Sequence, residues 1–162
     1  MSPRERLLAA VAGRQVDHLP TQVTFTPLAA EHAASWLGVA VSDLHSALGN
    51  HILDVFIDPR ERTEGSTSFD LWGVGWDSTI NDGFRIDVHP LAELDALSRY
   101  RMPDPDDGRF YTEIQRVVAE NGGHCVVFAD IGFTLWERYY LLRGFEQAME
   151  DLVTDPVLVE DG

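Results

Sequence analysis

Apolar and polar positions follow different rhythms in different parts of this chain. Leu7, Leu8 and Val11 make a stripe at helical spacing behind Ser2-Pro3-Arg4-Glu5. Ser2 can cap that helix, Pro3 suits its first position, and Glu5 completes a capping box. Gly13 can close it, and Asp17 to Pro20 reads as a turn. Thr21 to Phe25 is a short β-branched run and predicts a strand. Leu28 to Leu37 is Ala-rich and helical, with Thr26 as cap, Pro27 at the first position and Gly38 as stop. Ser42 to Leu48 predicts another short helix, ended by Gly49-Asn50. Ile52 to Ile57 is nearly continuous apolar sequence, interrupted by Asp54, as a buried parallel strand would be.

The rhythm then changes to period two. Trp72, Val74 and Trp76 alternate with glycines, and Phe84, Ile86 and Val88 alternate with Arg85 and Asp87. Asn81-Asp82-Gly83 lies between them, which predicts a β-hairpin. Leu91 to Tyr100 returns to helical spacing. Pro103 to Gly108 is a loop whose aspartates suit the start of a helix at Arg109 to Glu120. After Asn121-Gly122-Gly123, Cys125 to Ala129 predicts a third buried strand. Helices follow at Thr134 to Arg143, at Phe145 to Val153 and after Asp155-Pro156. Three apolar strands alternating with helices predict a parallel α/β sheet. A closed (β/α)₈ barrel typically takes about 250 residues, so 162 residues carry only part of one.

Composition narrows the chemistry. The chain has one cysteine, Cys125, which rules out an internal disulfide framework and points to a reducing cytoplasm. A net charge of -15 argues against nucleic-acid binding. No apolar run approaches the ~20 residues of a membrane span. All twelve basic residues are arginine, so no lysine Schiff base is available. From Glu146 onward there are six acids and no base, as on a solvated helical face. His124 and Cys125 are adjacent on a strand and face opposite ways, so they do not make a metal pair. The remaining histidines show no zinc spacing. Arg138 and Arg143 are expected to pair with Glu137 and Glu146.

Several segments together resemble the uroporphyrinogen decarboxylase superfamily, which includes methylcobamide:coenzyme M methyltransferases. They are Arg4-Glu5-Arg6-Leu7-Leu8 with Asp17-His18-Leu19-Pro20, Asp70-Leu71-Trp72-Gly73-Val74-Gly75-Trp76, His89-Pro90-Leu91, and Pro103-Asp104-Pro105-Asp106. Trp136-Glu137-Arg138, Leu142-Arg143-Gly144-Phe145-Glu146 and Asp151-Leu152-Val153-Thr154-Asp155-Pro156 complete the set. The resemblance implies that residues 1–162 form the N-terminal part of a TIM-type (β/α)₈ barrel: three parallel strands with helices plus an inserted β-hairpin. The C-terminal half would lie elsewhere.

Barrel chemistry sits at the carboxyl ends of strands. That nominates Thr26, Arg60 and Gly132 as substrate-binding positions and Asp58 and Asp130 as catalytic ones. The resemblance implies that Asp58 would accept pyrrole N–H bonds, and that Tyr140, four residues before Gly144, would hydrogen-bond an aspartate or a substrate carboxylate. The decarboxylases carry an arginine signature after strand one, whereas Thr24-Phe25-Thr26-Pro27-Leu28 has no arginine. The methyl-transfer branch is therefore the closer likeness. It implies methyl transfer between a cobamide and a thiol, with tetrapyrrole decarboxylation and a non-catalytic half-barrel as alternatives. No cofactor is expected in this chain; zinc and a corrinoid protein belong to a full-length relative. A tetrapyrrole or corrinoid protein, a second copy of the chain, or a complementing C-terminal half are the expected partners.

Overall fold

The computed structural model describes residues 1–57, 59–80 and 84–161. The chain packs as two units, Met1–Ile57 with Tyr111–Asp130, and Asp58–Phe110 with Ile131–Gly162. The fold is mixed α/β, with a parallel two-stranded sheet and an antiparallel four-stranded sheet.

The first unit opens with α1 (Pro3–Val11). The Ser2 hydroxyl accepts from Glu5 N and the Glu5 carboxylate accepts from Ser2 N, so the capping box forms as the sequence predicts. Gly13 adopts φ +69°, and Arg14 N and Gly13 N donate back to the carbonyls of Ala9 and Ala10. This left-handed turn satisfies the helix's last carbonyls. Helix α2 (Pro27–Leu37) is capped by Thr26 and stopped by Gly38. A 3-10 turn at Val41–Asp43 leads into α3 (Leu44–Ala47).

Strand β1 (Ile52–Phe56) pairs in parallel with Val126–Asp130, with Ile52 opposite Val126 and Phe56 opposite Asp130. Helix α4 (Thr112–Asn121) packs against both of these strands. One face of the pair buries Val55, and the other carries the half-exposed rings of Phe56 and Phe128.

Thr21 to Phe25 is not a strand. Its polar groups are taken by side chains before a ladder can propagate. Asn50 exchanges two bonds with the Val23 backbone at 2.9 and 3.0 Å, and Ile52 N donates to Gln22 Oε1 at 3.1 Å. Among the described residues the parallel sheet therefore has two strands and not three.

The second unit holds the antiparallel sheet. Its strands, in chain order, are β2 (Arg60–Glu64), β3 (Thr67–Asp70), β4 (Gly75–Asp77) and β5 (Ile86–Val88). We label Val126–Asp130 of the first unit β6. The β4–β5 pairing is as the sequence predicts, but β4 holds only Trp76 of the expected Trp72, Val74 and Trp76, because residues 70–74 turn back on themselves; the Asn81-Asp82-Gly83 stretch lies outside the described residues. The β2–β3 hairpin was not foreseen, because Arg-Glu-Arg-Thr-Glu has no apolar alternation. It is a charged edge strand. Its guanidiniums lie on the rings beneath, Arg62 3.9 Å from the Phe69 centroid and Arg60 4.8 Å from that of Trp76.

Leu91 to Tyr100 forms only a 3-10 segment at Leu94–Ser98, and the helix expected from Arg109 starts at Thr112. Helices α5 (Trp136–Arg143), α6 (Phe145–Thr154) and α7 (Pro156–Asp161) follow the expected order. The core of this unit is Val74, Trp76, Leu91, Leu141 and Leu142, with Trp72, Tyr100, Phe133 and Tyr140 packed on it. No helix among the described residues is long and apolar enough to cross a membrane.

Gly75 sits where the sheet is tightest. A Cβ there would lie 2.8 Å from Val88 Cβ and 2.9 Å from Thr67 Cγ2. Gly75→Ala is expected to lower stability by about 1–3 kcal/mol through overpacking. Gly108→Ala, which meets nothing within 4 Å, should stay within about 0.5 kcal/mol. Urea unfolding of the two variants checks the contrast.

Candidate functional site

Asp70, at the end of β3, has no exposure to water. A carboxylate so placed needs donors on both oxygens. The chain after it turns back on itself: Gly73 adopts φ +80° and its N–H donates to the Asp70 carbonyl. That turn aims two backbone donors, Trp72 N and Val74 N, at Asp70 Oδ1, both at 2.9 Å. Trp76 Nε1 donates to Oδ2 at 3.0 Å, and Arg138 Nη1 reaches it at 3.4 Å. The Arg138 guanidinium also lies over Trp72, 3.9 Å from its centroid, and its Nε donates to the Phe133 carbonyl. The Tyr100 hydroxyl donates to the Trp72 carbonyl at 2.8 Å. Burial, and then the nearby Asp70 charge, pushes that phenol up to about 12.

A second buried pair lies at the α5–α6 junction. Arg143 Nε donates to Asp151 Oδ2 at 2.7 Å and Nη2 to Oδ1 at 3.3 Å, while Nη1 donates to the carbonyls of Leu91 and Ala92. Tyr139 donates to Asp151 at 2.9 Å. The Arg143 guanidinium holds the Asp151 carboxyl below its usual range. Burial, and then the bond to Asp151, pushes the Tyr139 phenol up to about 12. Gly144, at φ +94°, lets the chain turn between the helices, and a Cβ there would touch the His89 ring. His89 Nδ1 lies 2.7 Å from the Leu141 carbonyl. A carbonyl only accepts, so that nitrogen carries the proton.

These two clusters border a cavity of about 510 Å³ within the second unit. Met102, Leu135, Trp136 and Leu142 supply apolar wall, with Arg138 and Tyr139 as its polar members. Leu135 is 89% exposed and adopts φ +46°, a strained conformation for a branched residue. Such a cavity suits an apolar ring set against Trp136 and Tyr139.

The first unit has its own buried cation. Arg6 donates to both Asp17 oxygens at 2.6 and 2.8 Å and lies 2.9 Å from His51 Nε2. A guanidinium cannot accept, so His51 Nε2 is the acceptor in that contact. Arg6 holds the Asp17 carboxyl far below its ordinary range.

The residues nominated from sequence fall elsewhere. Asp58 lies outside the described residues. Thr26 and Asp130 belong to the first unit. Thr26 Oγ1 caps α2 through Ala29 N at 3.5 Å, and the Asp130 carbonyl accepts from Ile57 N. Arg60, Gly132 and Tyr140 belong to the second unit, and none of them lines its cavity. Arg60 opens β2, and Gly132 takes φ +57°. Tyr140 packs edge-on to Trp136 and Phe145, and burial raises its phenol.

Among the described residues Arg138 pairs with Asp70 and Arg143 with Asp151, where Glu137 and Glu146 had been expected. Adjacent positions on a helix do not face each other, and the break at Gly144 separates Arg143 from Glu146. Sequence reasoning missed Asp70, Tyr139 and Asp151. The usable signal for Asp70 was an acid two residues before Trp72-Gly73; Asp151 had none, because its partner lies on another helix.

Among the described residues no three His, Cys, Asp or Glu side chains converge as a metal site. Comparison with protein-family models, with curated proteins and with solved structures finds no match.

Two outcomes test these clusters. Asp70→Ala strands two backbone amides, an indole N–H and a guanidinium in the core. It should cost about 3–5 kcal/mol and flatten the near-ultraviolet circular dichroism of the tryptophans. Asp151 is depressed in the folded state, so the stability it contributes is present above the ordinary carboxylate range and is lost as pH falls through and below it. Asp151→Asn should therefore be less stable at pH 7 and show a shallower loss between pH 7 and acid, read from urea midpoints at both.

Proposed function

We propose that this chain is a uroporphyrinogen decarboxylase-like protein of the corrinoid-dependent methyl-transfer type, and that it supplies the opening part of a (β/α)₈ barrel. In that reaction a methyl group passes from a cobamide to a thiol. The observation that supports the reading is how the resembling segments meet. Arg6 of the first binds Asp17 of the next. Asp70 and Trp72 receive Arg138. His89 and Leu91 meet the 141–144 stretch, where Leu91 N donates to Leu142 O and Arg143 donates to Leu91 O. Arg143 in turn binds Asp151. Segments far apart in sequence are thus each other's partners, as expected when a resemblance follows a shared three-dimensional core.

The choice of branch rests on the stretch after Thr21. Thr26 is committed to capping α2, and Thr24–Leu28 offers no guanidinium for substrate carboxylates. A tetrapyrrole bearing many carboxylates would lack its fork there, whereas a cobamide and a thiol require none at that loop. Asp58, Asp130 and Tyr140 remain the proposed catalytic positions, with Arg60 and Gly132 toward substrate.

Equilibrium dialysis of the whole chain against methylcobalamin and, separately, against uroporphyrin III tests the reading. Retention of methylcobalamin without porphyrin is the expected result. Retention of porphyrin alone would move the chain to the decarboxylase branch. Retention of neither at ligand concentrations up to about 1 mM, where binding is worth only about 4 kcal/mol, would overturn the reading.

A further inference from the structure

The arginines of this chain are almost all spoken for, as 27 acids against 12 cations would suggest. Arg6, Arg62, Arg85, Arg99, Arg109, Arg116, Arg138 and Arg143 each make an ion pair. Arg60 lies over Trp76, and Arg101 donates to a backbone carbonyl. Arg4 and Arg14 are different. Among the described residues neither guanidinium makes an ion pair, a hydrogen bond or a ring contact, and both line the same concavity of about 420 Å³ on α1.

The geometry of α1 explains how they meet. Arg4 and Leu8 are four residues apart and share a helix face. The left-handed turn at Gly13 folds the chain back, with Arg14 N held on the Ala9 carbonyl at 2.9 Å. Arg14 thereby joins Arg4 around a floor made by Leu8 and Ala9. Glu5 also borders the concavity, but its carboxylate is held against the Ser2 backbone at 2.8 Å as part of the capping box. Two cationic forks beside an apolar floor make a recognisable combination. Each fork can take two oxygens of one anion, and the floor takes an apolar group attached to it. A phosphate monoester carries a charge between about -1.5 and -2 at neutral pH with three acceptor oxygens, which matches two guanidiniums better than a monocarboxylate does. The volume falls in the range of small-ligand sites.

We propose that the concavity on α1 binds a small organic phosphate monoester through Arg4 and Arg14, with its organic group on Leu8 and Ala9. The site lies wholly in the first unit and uses none of the residues nominated for catalysis.

Calorimetric titration of the whole chain with phenyl phosphate, in phosphate-free buffer at fixed ionic strength, tests this. Arg4→Gln and Arg14→Gln are both exposed changes with no side-chain bond to lose, so both variants should keep the wild-type circular dichroism. Saturable binding is expected, weakened about tenfold or more by either change. It should be tighter than binding of inorganic phosphate, which lacks the organic group, and unchanged by Arg99→Gln, a surface cation paired with Asp95. Absence of saturable binding, wild-type affinity in either variant, or an equal loss in Arg99→Gln would overturn the proposal, the last because it would reduce the effect to net charge.

Discussion

A carboxylate removed from water loses its hydration, and a folded chain tolerates this only where donors stand ready on both oxygens. Asp70 is the place where the second unit meets that demand. The turn through Gly73 exists in the form that delivers two backbone amides to one oxygen. The indole of Trp76 is oriented by the other. Arg138 completes the shell while covering Trp72. The positions of β3, β4 and the first residues of α5 are thus tied to one side chain, and the apolar core of Val74, Trp76 and Leu141 closes around it.

Arginine is suited to this role in a way that lysine is not. A planar fork satisfies an acid and nearby carbonyls at the same time. Arg143 does so with Asp151, Leu91 and Ala92, and Arg6 with Asp17 and the Met1 carbonyl. Each of these cations joins stretches that are distant in sequence or lie on different elements. The lack of lysine throughout the chain is consistent with a structure whose buried cations must each make several directed bonds. The edge strand β2 uses the same residue differently, laying guanidiniums over Phe69 and Trp76 so that a wholly charged segment still covers apolar surface.

The proposed function and the proposed anion site draw on opposite ends of this economy. The resembling segments consist largely of residues locked into buried pairs, so they act as scaffold and carry chemistry only through what they position. Arg4 and Arg14 are exposed and uncommitted, and a ligand can engage them without disturbing the core. The 510 Å³ cavity lies between these cases. Its Arg138 and Tyr139 are already bound to Asp70 and Asp151, so a guest there would be read chiefly by its apolar surface.

The local code was legible wherever the governing interaction spans only a few residues. Ser2 with Glu5, Thr26 with Pro27, and Gly13 and Gly38 bound their helices because caps and left-handed turns are settled within one turn of chain. The apolar runs at Ile52 and Val126 likewise announced two parallel strands. Tertiary structure decided the rest. Thr21–Phe25 has strand composition, yet the side chains of Asn50 and His51 claim the backbone groups of Val23 and Thr21. Arg60–Glu64 has no strand pattern, yet the rings beneath it make it one. Arg138 pairs with Asp70 and Arg143 with Asp151, although other acids lie nearer in sequence. The physical reason is common to all these cases. A periodic pattern records which face a residue shows, but the partner of a buried charge is fixed only when distant segments are packed together and water is excluded from between them.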